Sequence, residues 1–539
     1  MKTFRWIGVN FNPLLRKLAF HKGKMNVSVH ILSLYCAVAF VSLILINEPA
    51  VATDANFACG GSVEAEVWEA WDGNVRDYLL QSQLDARLLK QGDVYALYDI
   101  QTYTHNMVSM ASRCNRTNRL KEVARLIRMA YDALEPGTQS SPGRRWVCRG
   151  GSICNDKNRL LNQEVMLDSV QFLGLAVRVA NALASSGRKP DEEEKVFIQD
   201  TGQILIEHLL RWGSESAISS MRQSTAAKPE DVTDGSSKLF FTDKPLWMIT
   251  IYAELSGIIR SGVSKDVIWG RVSSDDKMRM RKHCSTLMEF FTSRISIRHD
   301  PNSRLGNAEL ADIDRGFWRL SHRYAGYESE QKPAVCVPSE SGKGKKVIKY
   351  NVMGEQAQKR DDTGWDISHA RRLVHALDAL ERNRAAMKDV FSLKGAQLSS
   401  SALIKGFANT LIAVVWNGDM EHPLFSNYFS GANGWYRVAY DNGTGQCREG
   451  TPPFGLTVSF PTGGYITWAR YNPTIGLLGQ RLYELTSSDD GKVNPFIVKY
   501  YPGLRKAVPA QKINLARFMF LPSLVGIPNA CNKAPKKPF

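Results

Sequence analysis

The sequence has no cysteine pair in CxxC spacing and no histidine pair at zinc spacing, so it offers no ordinary structural or catalytic zinc site. It has no glycine-rich phosphate loop, no dinucleotide fingerprint and no G-x-S-x-G elbow, which removes nucleotide-dependent chemistry and serine hydrolysis of the common kinds. It carries no nucleic-acid motif and no interleaved aromatic and basic module. Its one strongly apolar run is N-terminal, which excludes a multi-span membrane protein. With 41 Gly and 22 Pro in 539 residues it is neither collagen-like nor of low complexity. Hydrophobic residues at 43% and charged residues at 23% describe a folded chain with a sizeable core.

Residues 1–24 carry Lys2, Arg5, Arg16, Lys17, Lys22 and Lys24 and no acid, and the apolar run Ile31 to Ile46 follows. Small residues at Ala50 and Ala52 complete the pattern of a secretory signal over 1–52, cleaved after Ala52. The alternative is an uncleaved membrane anchor over residues 27–46, for which the run is short. Either way the body is expected outside the cytoplasm, periplasmic or secreted, and meets a membrane only through this segment. The nine cysteines agree, since Cys36 lies in the leader and an even number remains. Cys148 and Cys154 flank a glycine-containing loop and are the best single disulfide pair, while the rest cannot be connected from sequence. Net charge falls from +16 to +11 once the leader's six Lys and Arg and one Glu are removed, which favours a polyanionic partner.

From about residue 63 the apolar spacing is helical: Val63 to Leu84, Tyr95 to Ala111, Leu120 to Leu134 and Leu160 to Leu183, the last capped by Asn155 or Asp156. Pro190-Asp191 and Lys244-Pro245 open two more helices, and Met278 to Ile295 is another. Residues 222–242 and 298–360 read as long irregular loops, including the run Lys343 to Lys349. Helices resume at Ile367 to Leu380 and Leu403 to Trp416; Ile466 to Leu485 reads as a helix pair broken at Asn472-Pro473, and 509–522 as a closing element. The series predicts an all-α body of stacked helical hairpins over 53–539, without a fixed repeat.

The densest chemistry lies in D-D-T-G-W-D-I-S-H-A-R-R-L-V-H-A-L from Asp361. Asp366 and His369, three apart, fall off the apolar stripe of that helix and near each other. A carboxylate beside an imidazole fixes its tautomer and raises its basicity; the plainer role for Asp366 is the helix N-cap. Tyr103, His105 and Asn106 share one predicted helix, Arg319, His322 and Tyr324 share an aromatic loop, and Arg371 follows His369. Phe317, Trp318, Trp365, Trp435, Tyr436, Trp468 and Tyr471 are candidate sugar-stacking rings, and the turns Asn433-Gly434 and Pro461 to Gly464 predict exposed neighbours.

The D-x-S-H-A helix start, with Gly406-Phe-Ala-Asn-Thr-Leu, Val415-Trp416 and Gly431-Ala-Asn-Gly-Trp-Tyr after it, resembles a segment of toroidal, six-hairpin carbohydrate-active enzymes. The resemblance spans roughly residues 360–440 and matches no single family's full catalytic signature. It implies an (α/α) toroid, glycosidic-bond cleavage and a sugar-lined central cleft. Within that class, a polysaccharide lyase acting by β-elimination on an acidic polysaccharide needs a His or Tyr base and acid and a polar group against the uronate carboxylate. His369, His105 and His322 are candidate bases, Tyr103 and Tyr324 candidate acids, Asn106 and Arg319 charge neutralisers, with Asp366 orienting His369. A glycoside hydrolase on the same scaffold would draw its carboxylates from Asp312, Asp314, Glu328, Asp362 and Asp366. A non-catalytic envelope protein that binds polysaccharide is the third reading. No cofactor or metal is expected.

Overall fold

The computed structural model describes residues 55–138, 142–234, 236–321, 334–338, 346–350, 360–393, 401–438, 450–487, 494–506 and 513–527, the two short stretches 334–338 and 346–350 by backbone only. The chain divides after Ala55, and the unit from Asn56 onward is the one described here. The leader expected over 1–52 lies outside the described residues.

That unit is mostly helical. Helical conformation runs from Ser62 through Lys90 and resumes at Tyr95–Arg113 and Thr117–Tyr131, where apolar spacing predicts it. The next helix starts later than its pattern suggests. Asn155 caps only a single turn, Asp156–Asn158, and the long helix is Met166–Ala184. Asp191 opens Glu192–Trp212 through a reciprocal capping box with Glu194, which satisfies two otherwise orphaned amides. Asp243–Ser261 ends at Gly262 in a left-handed conformation (φ 79°), and Ser274–Arg294 follows.

The loops expected at 222–242 and 298–360 need correction. Glu215–Ala226 is helical into the first, and a turn of helix at Pro229–Asp231 lies within it. The second holds an antiparallel hairpin, Ile295–Ser303 with Gly306–Ile313, and a second pair, Ala334–Pro338 with Lys346–Tyr350, which takes in part of the lysine run. The first hairpin hides from a pattern search because Arg298, His299, Asp300 and Asn302 give its opening strand a polar, half-solvated face.

The core is organised around Met166–Ala184, buried along nearly its whole length. It packs against Tyr95–Arg113 on one side and Asp243–Ser261 on the other, and Arg372–Arg382 packs in turn on Asp243–Ser261. Leu515–Phe520, in the segment expected to close the fold, returns to Tyr95–Arg113. Asn106 ties this return: its side-chain amide donates to Thr462 O at 2.9 Å and Met519 O at 2.8 Å. Cys148 and Cys154 are bonded, and Cys59 is bonded to Cys114, a pairing not assignable from sequence. Cys284 is buried and reduced.

Candidate functional site

The first turns of several core helices meet. Tyr98 and Asp99 come from Tyr95–Arg113, Asp168 and Gln171 from Met166–Ala184, and Asp243 and Trp247 from Asp243–Ser261. The helical stretches Ile367–Ala370 and Arg372–Arg382 contribute His369 and Arg372, with Arg371 between them. Polar contacts join the group. Arg372 donates to the Tyr98 hydroxyl at 2.9 Å and lies 3.3 Å from Asp243, while Trp247 Nε1 donates to Gln171 Oε1 at 3.2 Å.

Asp366 is the N-cap, accepting from the Ser368 and His369 amides at 2.9 and 3.0 Å. Its other oxygen pairs with His369 Nδ1. Capping and pairing therefore coexist in one carboxylate. The strand-like segment before it is pinned, since Ile367 N donates to Asn427 O and Phe429 N to Trp365 O. Burial pushes the Asp366 carboxyl up, but the His369 ring, its hydrogen bond and that of Ser368 outweigh burial and hold it well below the usual carboxylate range. Asp366 thus stays ionised, and its contact with Nδ1 orients the His369 ring.

Aromatic rings wall this pair. The centroids of Trp318, Trp365 and Tyr436 lie 5.9, 6.3 and 6.5 Å from that of His369, and the Tyr436 hydroxyl is 3.3 Å from Nδ1. Trp435 and Tyr436 are buried despite the neighbouring turn, which corrects the exposure expected for them. His369 keeps about 10% of its side-chain surface open, so the dyad is recessed.

Two indoles are anchored through one acid. Asp314 accepts from Trp318 Nε1 at 2.7 Å, Phe241 N at 3.2 Å and Arg294 Nη1 at 3.1 Å, and Phe241 O accepts from Trp365 Nε1 at 3.0 Å. Asp314 sits at φ 53°, a left-handed conformation that Asp tolerates better than most residues. Burial pushes its carboxyl up to about 7, against Arg294, Trp318 and Phe241, which pull it down. Arg294 lies 3.6 Å over the Phe317 ring. Asp312 is likewise buried and pushed up to about 7, with Arg315 3.5 Å away. Asp362 pairs with Arg315 at 2.6 Å and with Arg360. Of the carboxylates expected for hydrolysis, Asp314 and Asp362 are thus held in local ion pairs.

The remaining candidates have other partners, although Asn106 shares a small cavity with Arg371 and Arg372. His105 is buried, stacked on His375 with centroids 3.7 Å apart, and within 2.8 Å of the Gln101 amide; burial and then His375 hold its pKa well below the ordinary value. Tyr103 sits beside Tyr78, and burial followed by the charge of Asp99 pushes its hydroxyl up. Asn106 spends its amide hydrogens on closing the fold. Arg319 donates to the carbonyls of Pro229, Gly316 and Val232, pinning the loop before Asp243–Ser261. Trp468 is buried, and Tyr471 lies under Arg470. His322, Tyr324 and Glu328 lie outside the described residues.

Tyr98, Asp243, Arg372 and His375 were not singled out by sequence. Asp243 stands just before the Lys244-Pro245 helix start, and His375 lies in the same segment as His369, but only packing shows that these positions meet. The chain matches no protein-family model, no curated protein and no solved structure.

Proposed function

We propose that the chain is an exported enzyme that cleaves an acidic polysaccharide by β-elimination, on an (α/α) toroid whose inner helices present their N-terminal turns to the substrate. The observation that carries this reading is the Asp366–His369 pair, a polarised base recessed among Trp318, Trp365 and Tyr436 beside two arginines. In the reaction, His369 Nε2 takes the proton from the carbon next to the uronate carboxylate. The freed electron pair forms the ring double bond as the neighbouring carbon–oxygen bond breaks. The leaving oxygen takes a proton from a phenol, for which Tyr436 is the candidate among the described residues. Arg371 and Arg372 favour the negative charge that builds on the carboxylate.

The cycle of contacts, from Tyr95–Arg113 through Met166–Ala184, Asp243–Ser261 and Arg372–Arg382, then by Tyr465–Arg470 and Ser459–Thr462 to Leu515–Phe520 and back to Tyr95–Arg113, supports the ring. The disulfides and the basic balance of the body support export and an anionic polymer. Elimination is preferred to hydrolysis because Asp314 and Asp362 are paired with Arg294 and Arg315. The test is incubation of the purified mature chain with polygalacturonate, alginate and hyaluronan, with a neutral glucan as control. Appearance of the ultraviolet absorbance of an unsaturated uronate is expected. New reducing ends without that absorbance would make the enzyme a hydrolase, and binding without turnover would make it a carrier.

A further inference from the structure

Arg371 and Arg372, which follow His369 in sequence, also line a small cavity. Its lining includes Gln101, Gln171, Trp247, Arg371, Arg372 and His375, drawn from four core helices, and no Asp or Glu contributes to it. Two guanidiniums on an acid-free lining set up a positive field in a partly enclosed space. Asp243 offsets part of this through Arg372, and Asp366 is engaged by His369.

The amides on the wall are already occupied. Gln171 accepts from Trp247 and donates to Thr102 Oγ1, and Gln101 faces the His105 ring. His375 differs. Its ring stacks on His105 at 3.7 Å, with the Trp247 ring 6.1 Å away and nearly parallel, which orients its plane, and its nitrogens take no hydrogen bond from the described residues. Burial and then Arg371 push its pKa down to about 3, so the ring is neutral at ordinary pH and offers one N–H. A fixed, neutral donor beside two guanidiniums, in a space too small for a chain of sugars, suits one planar anionic group.

We propose that this cavity is a receptor for a single carboxylate of an acidic sugar, bound by Arg371 with the His375 ring donating alongside it. The proposal rests on the reading of the protein as acting on uronate polymers, and adds the place where one carboxylate is held.

The test is calorimetric titration of the full mature chain with galacturonate, galactose and sulfate. Galacturonate is expected to bind saturably and galactose not to bind. Arg371→Gln is expected to weaken galacturonate by about tenfold or more, the loss of one charge-assisted contact. His375→Phe keeps the stacked ring, removes the donor, and is expected to weaken it by about tenfold as well. Because one arginine variant can fail to fold, the His375→Phe titration decides on its own, with circular dichroism checking both. Equal binding of galacturonate and galactose, or galacturonate binding unchanged by both variants, would overturn the proposal. Sulfate binding as tightly as galacturonate would overturn the sugar-acid assignment. If uronate polymers are cleaved while both variants bind galacturonate like the wild type, this inference fails and the proposed reaction stands. Binding lost in the variants of a chain that turns over nothing would leave the receptor standing and remove the reaction.

Discussion

Replacing Asp314 by Ala perturbs the wall of the candidate site without touching the dyad. The substitution strips Arg294 of its carboxylate and leaves Trp318 Nε1 and the Phe241 amide without their acceptor. Both members of the ion pair have fully buried side chains. Breaking such a pair from one side costs about 3–5 kcal/mol, because a buried charge remains. Arg294 still donates to Ser224 O and Leu239 O and still lies over Phe317, so the lower end, about 3 kcal/mol, is expected for the charge. The orphaned indole and amide add about 1–3 kcal/mol between them. The assay is equilibrium denaturation with disulfides intact, read together with near-ultraviolet circular dichroism, which should lose tryptophan signal as Trp318 and Trp365 loosen. Removing both charges as Asp314→Leu with Arg294→Met should recover most of the loss, since no unpaired ion is left. A cost for Asp314→Ala below about 1 kcal/mol, or a double variant no better than the single one, would refute the claim that this pair supports the aromatic wall.

Asp312→Asn tests the other raised carboxyl. A folded pKa of about 7 against an ordinary value of 3.8 means that the folded chain keeps a proton which the unfolded chain releases, so this group's contribution to stability falls as pH rises from about 4 to 7. The variant is neutral throughout; it should match the wild type near pH 4 and exceed it by up to about 4 kcal/mol above pH 7, read as melting temperature against pH, and an unchanged profile would refute the shift. Asn106→Ala removes both ties to Thr462 and Met519 and should cost about 2–3 kcal/mol in denaturant unfolding, whereas a neutral result would deny its closing role. Cys148→Ser opens a six-residue separation and should cost about 2 kcal/mol of loop entropy; a loss of the whole fold would contradict that size.

The helices were legible because apolar residues recur along one face, and Asp191 and Asp366 were legible as caps because those side chains satisfy amides locally. The Asp366–His369 pair followed from spacing alone, since residues three apart on a helix meet. What spacing cannot supply is contact between distant segments. The partners of Asn106 lie 356 and 413 residues away, and the polar character that suggests substrate binding instead serves closure. His105 reads as a catalytic base for the same reason, yet packing turns it against His375 and Trp247. Asp314 reads as a catalytic acid, and only the hairpin ending at Ile313, hidden by its polar face, explains why it is an anchor.

The proposed removal of a uronate-ring proton by His369, polarised by Asp366, is the step on which the function rests. Its most direct measurement is the rate of unsaturated-uronate formation by the wild type, His369→Gln and Asp366→Asn on the polymer that the wild type cleaves, with galacturonate titration and circular dichroism confirming intact binding and fold. Both variants are expected to bind as the wild type does and to lose at least about 100-fold in rate, the scale of a general base. Elimination at the wild-type rate by a correctly folded His369→Gln would contradict it.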